Sequence, residues 1–460
     1  MIDIIIVVSY LVLLLVIGIM KQAKGNGFKS FSKVTSKVKT SNLLLVATIF
    51  ASSIGGGTTF GISEKAFSEN IAHSYGLLLA VPVDILIAIY IIPRLIKHQT
   101  CETIGDIMSV YYGNAGRYIG GLSAILVSVG LLAAQISVSG RIFEYILQVD
   151  YNIGVIASYG IVVIYTTIGG LQSVLFTNLL QFFAIIVAIP IITIFGIYQI
   201  GLSNFIASVP LEKISFSHNA NLLEITLSAA LGFCVINMLP TFIQRTLISE
   251  DSRVTSNAIM IKTIIYIIFL IFVTLNGLIA FVKYPDIKAS LVLPYLIDHT
   301  IPHGIKGIVV VGLLAAVMST ADSDLNITSV TIVKDFFKPL FKISNEGIML
   351  VLARCVNVVI GSIAIVIALG FAKVVDLVIF VVGFWSPIVL VPLIFGLFDI
   401  TIKNRDFIIC SGAGGITFVM WKLFCEETYH LKGVFVGTMM HLTLFLVFYA
   451  IKKRSNENSS

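Results

Sequence analysis

The run AAVMSTADSDLN, from Ala315 to Asn326, places Ser319, Thr320, Asp322, Ser323, Asp324 and Asn326 inside an otherwise apolar stretch. IVVVGLL precedes it and ITSVTIV follows it. A bare carboxylate at mid-bilayer costs roughly 2.5–3.5 kcal/mol on insertion scales. Two carboxylates and four other oxygen-bearing side chains therefore need a compensating partner, and a cation is the simplest one. Ala316, Ser319 and Thr320 are spaced three and four apart, which puts them on one helical patch. The bland alternative is hydroxyls bonded back to their own helix, which is frequent in membrane helices. Asp324 points away from Asp322 and shares a face with Thr320. It is expected to line an exit path or to pair with a base such as Arg354.

The elements that must hold this run are membrane spans. The chain has 460 residues, of which 57% are hydrophobic and only 12% charged, and its mean hydropathy is +1.01. Long apolar stretches in series mean an all-α polytopic membrane protein. The first apolar run lacks a basic leading region and a small-residue cleavage site, so it reads as a retained helix rather than a signal peptide. The five cysteines are scattered, without the spacing of a disulfide or zinc framework. The net charge of +6 is spread over short loops and does not point to nucleic acid. No nucleophile–base–orienter set is present, and no ligand cluster for a catalytic metal, so an enzyme is not expected.

About thirteen spans are expected: 3–20, 42–67, 74–96, 116–147, 152–168, 171–200, 222–244, 257–283, 305–333, 348–372, 375–398, 405–424 and 433–451. The first connection carries six lysines, Lys21 to Lys39. Alternate connections carry Arg94, Lys97 and Arg117, then Arg245, Arg253 and Lys262, then Lys334, Lys338 and Lys342, then Lys403 and Arg405. The positive-inside rule then puts the N-terminus outside and the C-terminus in the cytoplasm. Arg141 and Glu144 read as an interfacial ion pair. Asp84 is a third intramembrane acid, either a functional cation or proton site or a partner for nearby polar groups.

Two spans are interrupted. The second contains Ser52, Ser53, Gly55, Gly56, Gly57, Thr58 and Thr59 in succession. Consecutive glycines weaken a helix by roughly 1 kcal/mol each against alanine, and non-helical backbone at membrane depth is tolerated only where it lines a cavity or is buried in protein. The seventh carries Gly232, Asn237 and Pro240 in its middle, and proline removes a helical hydrogen bond. Breaks five spans apart predict two inverted repeats with a site at the midplane. The expected segments are 1–41 (leading helix and basic loop), 42–200 and 222–398 (five-helix repeats), 201–221 (outer loop), 399–451 (two peripheral helices) and 452–460 (tail).

In these residues the chain resembles the sodium:solute symporters, which include sodium-coupled sugar, proline, pantothenate and choline transporters. The resemblance rests on the Gly-rich second span, on YTTIGGLQSVLFTNLLQ (Tyr165 to Gln181), on PTFIQR (Pro240 to Arg245) and on AAVMSTADSDLN, in that order. It implies a LeuT-like five-plus-five core with one helix before it and two after. It also implies a sodium site made by the backbone carbonyls of Ala51, Ile54 and Ala316 and the hydroxyls of Ser319 and Thr320. Some members hold a second sodium, using an acid on the sixth span where this chain has Asn178. Here the ninth span has Asp322 at a position usually Ser or Thr. The resemblance thus implies a candidate second site from Ser319, Asp322, Ser323 and Asn178, with the carboxylate moved to the facing helix.

The solute is expected beside the two breaks, among Ser53, Gly56, Thr58, Gln135, Asn237, Thr241 and Trp385. Choline-type members have tryptophans where this chain has Ser53 and Leu239. Proline-type members have a Trp and a Tyr at Gly232 and Ile236, and sugar-type members a glutamate near Leu77. What remains is a small polar solute, an amino acid or carboxylate-type metabolite, held by amides, hydroxyls and helix dipoles. The expected function is sodium-coupled symport by alternating access in a cell membrane, with sodium as the coupling ion and lipid as the surroundings. The alternatives are proton coupling through Asp322 or Asp84, or a transporter-like sensor, which would need an appended signalling domain.

Overall fold

The computed structural model describes residues 1–21, 27–33, 41–78, 80–215, 232, 235, 237–249, 251–370, 380, 382–429 and 431–457. Among them the chain is helical, with no strand. The main helices are α1 (Ile2–Met20), a short connector α2 (Phe28–Ser32), α3 (Asn42–Ser53), α4 (Gly57–Ser68), α5 (Ala72–His98), α6 (Ile104–Leu147), α7 (Tyr151–Ile200), α8 (Pro240–Thr246) and α9 (Ser252–Lys283). There follow α10 (Ile305–Leu340), α11 (Glu346–Gly370), α12 (Ser386–Leu397), α13 (Asn404–Phe424) and α14 (Gly433–Glu457). Nine helices among the described residues are long and apolar enough to cross a membrane, and the bent α3–α4 pair adds a tenth.

Polar residues set the helix starts. Ser41 accepts from the Leu44 amide at 3.2 Å, Thr103 from Asp106 at 2.9 Å, and Asp251 from Arg253 at 2.8 Å; each satisfies one of the orphan donors of a first turn. Two long helices are each divided by one glycine. In α6 the backbone turns at Gly113 (φ 56°), separating a short leading helix from the 116–147 span. In α7 it turns at Gly170 (φ 58°), dividing the 152–168 and 171–200 spans where the sequence divides them. A side chain at Gly170 would be strained by its φ and would meet the Phe31 carbonyl oxygen at 2.7 Å. The bare backbone there lets α2 pack directly onto the turn. Of the predicted spans, 222–244 lies mostly outside the described residues, as does the first part of 375–398.

α10 is the axis of the molecule. In its most apolar 18-residue stretch 83% of the residues are buried, against 17% in α14. It packs on α6 and α7 and touches α1, α3 and α11. The chemistry-bearing run Ala315–Asn326 sits in its middle, buried throughout. α13 and α14 pair with each other at the edge.

Four placements differ from the sequence reading. Arg245 and Lys262, counted as loop charges, are buried at 0% and 4% exposure, because each has polar partners inside the protein. Arg354 does not meet Asp324; it donates to the Ile168 carbonyl at 3.2 Å. Arg141 and Glu144 are both exposed, and the expected ion pair between them is not formed.

Candidate ion and solute site

α3 ends at Ser53 and Ile54 is extended (φ −104°, ψ 119°). The helix resumes at Gly57 after a bend of 69°. Thr58 secures the turn by accepting from the Gly55 amide at 2.9 Å and donating to the Gly55 carbonyl at 2.9 Å. Gln135 on α6 reaches into the same break, where its Oε1 accepts from the Gly56 amide at 2.9 Å. A Cβ at Gly55 would lie 2.8 Å from the Gln135 amide nitrogen, so a side chain there would push Gln135 away.

Facing this break, Ser319 Oγ donates to the Ala51 carbonyl at 2.9 Å and to Ala316 at 3.1 Å. Thr320 Oγ1 donates to the Ile54 carbonyl at 2.8 Å and to Ala316 at 3.4 Å. The five oxygens anticipated as sodium ligands therefore form one hydrogen-bonded cluster between α3 and α10. None is charged, and all are hard donors. Such a set suits a hard monovalent cation, since divalent sites recruit carboxylates. Among the described residues no group of His, Cys, Asp and Glu has the geometry of a metal centre.

One turn further along α10 the character changes. Asp322 is fully buried. It accepts from the Tyr165 hydroxyl at 2.6 Å, from Thr177 at 3.4 Å and from Ser323 at 3.1 Å. Asn178 donates to Thr48 at 3.2 Å, Ser52 at 3.4 Å and Ser323 at 3.5 Å, while its Oδ1 has no partner among the described residues. Ser323 thus joins Asn178 to Asp322, whereas the Ser319 hydroxyl belongs to the first cluster. The sequence reading gave Tyr165 no role, placed Ser52 only in the break of the second span and counted Arg245 as a loop charge. Arg245 donates to Ser323 at 2.6 Å. The signal for Tyr165 and Arg245 was present, since both lie inside motifs that carried the resemblance. Asp324 is fully buried, and the Ser128 hydroxyl faces its carboxylate.

The solute candidates fall into two groups. Ser53, Gly56, Thr58 and Gln135 surround the first break, and there Ser53 bonds back to Ile49 at 2.7 Å. Asn237, Thr241 and Trp385 belong to the second. Leu239 is extended (φ −65°, ψ 155°) and Pro240 begins α8, which places an irregular turn at 237–239; the residues from 216 to 231 lie outside the described set. Trp385 is fully buried in the apolar cluster that also holds Leu239 and Phe242, and among the described residues its indole N–H has no partner. Asn237 donates to Asp84 at 2.7 Å. Asp84 also accepts from Lys262 at 2.7 Å and from the Thr263 hydroxyl.

The comparisons with known proteins agree with one another. The family model described as "Sodium:solute symporter family" matches residues 38–404. The high-affinity proline transporter PutP of Bacillus subtilis (strain 168) is 26% identical over 340 residues, covering 69% of this chain and 71% of that protein. The sodium/pantothenate symporter of Haemophilus influenzae is 25% identical over 287 residues, covering 58% of this chain and 59% of that one. Among solved structures, a Na+-coupled sialic acid symporter in a substrate-bound outward-open state superposes with a TM-score of 0.87 over 98% of both chains, at 17% identity. The long matched stretch, the two breaks and the all-helical LeuT-like fold lead to one conclusion: this chain belongs to the sodium:solute symporter family.

Proposed function

We propose that the protein takes up a small organic carboxylate, such as an amino acid, together with sodium bound by Ala51, Ile54, Ala316, Ser319 and Thr320. The carrying observation is the cluster of five uncharged oxygens between the broken end of α3 and the middle of α10. Sodium binding there exchanges two interhelical hydrogen bonds for ion–oxygen contacts and fixes α3 against α10. Solute then meets the Gly56–Gln135 region on one side and the Asn237–Trp385 region on the other. The Trp385 indole supplies a donor suited to a carboxylate, and helix ends at the breaks add favourable dipoles. Three relatives named for proline, pantothenate and sialic acid all take solutes that bear a carboxylate, which supports this class.

The test is a thermal-unfolding screen of the purified full chain against a panel of amino acids and small carboxylates, in sodium and in potassium. A ligand present at a hundredfold excess over its dissociation constant stabilises by about 2.7 kcal/mol. The expected result is at least one solute that raises the midpoint in sodium only. Stabilisation independent of sodium, or uptake that follows pH and ignores sodium, would overturn the coupling.

A further inference from the structure

We propose that Asp84 is a positioning residue for the solute: it holds the Asn237 amide at the second break with the amide oxygen left free, and that oxygen accepts from an N–H of the solute. The solute is then an amino or imino acid. This rests on the uptake of a small carboxylate proposed above and narrows its class.

Asp84 lies on α5 and is fully buried. Paired with the Lys262 ammonium, its carboxylate can only accept hydrogen bonds, and three donors converge on it. Lys262 Nζ on α9 donates to Oδ2 at 2.7 Å, and the Thr263 hydroxyl donates to the same oxygen. Oδ1 accepts from Asn237 Nδ2 at 2.7 Å.

The direction of that last bond is fixed by chemistry. Turning the Asn237 amide over would set two acceptors against each other, so Nδ2 has to face Asp84. The amide is planar, and Oδ1 is then carried on its other edge. Asn237 is 1% exposed, and its Oδ1 has no partner among the described residues. Buried polar atoms are nearly always paired, and one that is not needs a reason. Fastening α5 to α9 does not supply it. Lys262 and Thr263 already close that junction, and any donor at 237 could join it. Asparagine brings an acceptor at the opposite edge of the same side chain.

In the chain Asn237 sits between Val235 and Met238, two members of the apolar cluster that holds Trp385. The indole N–H of Trp385 is the donor assigned above to the solute carboxylate. Among the described residues, the second break thus offers one free acceptor and one free donor. A solute with a carboxylate and a hydrogen-bearing nitrogen answers both. A carboxylate alone leaves the Asn237 oxygen buried and unpaired. A site built to receive a hydrogen bond discriminates strongly against an analogue that cannot make it.

The experiment is a thermal-shift titration of the purified full chain in sodium. The ligands are L-amino acids and, for each, the carboxylate in which carbon replaces the amino nitrogen: cyclopentanecarboxylate for L-proline, isobutyrate for L-alanine. In the wild type an amino acid that binds is expected to do so at least about a hundredfold more tightly than its carbon analogue. In the double variant Asp84→Asn with Lys262→Met the cluster stays uncharged and the Asn237 amide is free to turn, so the preference should fall below about tenfold while sodium is still required. A purely structural role would weaken both members of each pair alike and leave their ratio unchanged. Carbon analogues that bind as tightly as the amino acids overturn the inference and leave sodium-coupled uptake of a carboxylate standing. A double variant that keeps the wild-type preference also overturns it. Should that variant fail to fold, Asn237→Ala decides: a preference that survives without the amide overturns the inference. If no member of the panel stabilises the wild type in sodium, the proposed function fails, and the inference with it.

Discussion

Two ionic clusters lie buried in this protein, and they are built differently. At Asp84 one acid meets one base. Its oxygens accept from Asn237, Lys262 and Thr263, and the cluster carries no net charge. At Asp322 and Asp324 two buried acids face one buried base, Arg245. A buried ion pair that is complete ties helices together and asks for nothing more. A buried cluster with more acids than bases has to hold an acid protonated or draw in a cation. The same residue types thus close a fastener in one place and, on the function proposed above, stand beside an ion site in the other.

The sharpest way to break this contrast is to unbalance the complete pair. Lys262→Met leaves Asp84 buried and uncompensated, at an expected cost of about 3–5 kcal/mol. Thermal unfolding should show a large drop, and adding Asp84→Asn should recover most of it. A single variant as stable as the wild type would remove the fastener reading.

Ser319→Ala probes the first ion cluster. Loss of one ligating oxygen is expected to weaken sodium at least tenfold, about 1.4 kcal/mol. In potassium the only cost is a lost hydrogen bond, about 1 kcal/mol. Sodium titrations monitored by thermal shift separate the two.

Asp324→Asn should behave unlike any substitution at Asp84. With only the Ser128 hydroxyl facing it among the described residues, the variant is expected within about 1 kcal/mol of the wild type, or above it, in sodium-free buffer. It should also gain less stability from added sodium. A collapse as deep as that of Lys262→Met would make the two clusters equivalent.

The smallest effect concerns Cys101. It lines a cleft of about 310 Å³ beside Gln244, the residue that precedes Arg245. Burial pushes its thiol up to about 11. Only about one thiol in a thousand is therefore ionised at pH 8, and the fraction rises tenfold per pH unit up to that value. Maleimide labelling should be slow at Cys101 and fast at the exposed Cys355. Equal rates at pH 8 would mean that the cleft opens freely toward the second cluster.

Much of this was legible in the sequence, for reasons that are physical. The spans and the break at Gly55 to Gly57 are strong local signals, because a bilayer imposes length and apolarity and glycine weakens a helix wherever it stands. The pairing of Ser319 and Thr320 with Ala51 and Ile54 came from motifs, not from spacing within either helix. What stayed hidden were contacts between distant spans. Lys262 and Arg245 sit near predicted span ends and read as loop charges, yet each turns inward to an acid far away in the chain. Only the packing of α5 against α9, and of α8 against α10, reveals which acid goes with which base.

The balance at Asp84 has an electrical consequence. A closed acid–base pair carries no net charge, so however its helices move, the membrane potential does no work on it. The potential acts at about 2.3 kcal/mol per elementary charge per 100 mV, and it can act only where charge is unbalanced. The voltage sensitivity of transport should therefore originate with the sodium proposed on α10, while the Asp84–Lys262 pair reorients electrically silent.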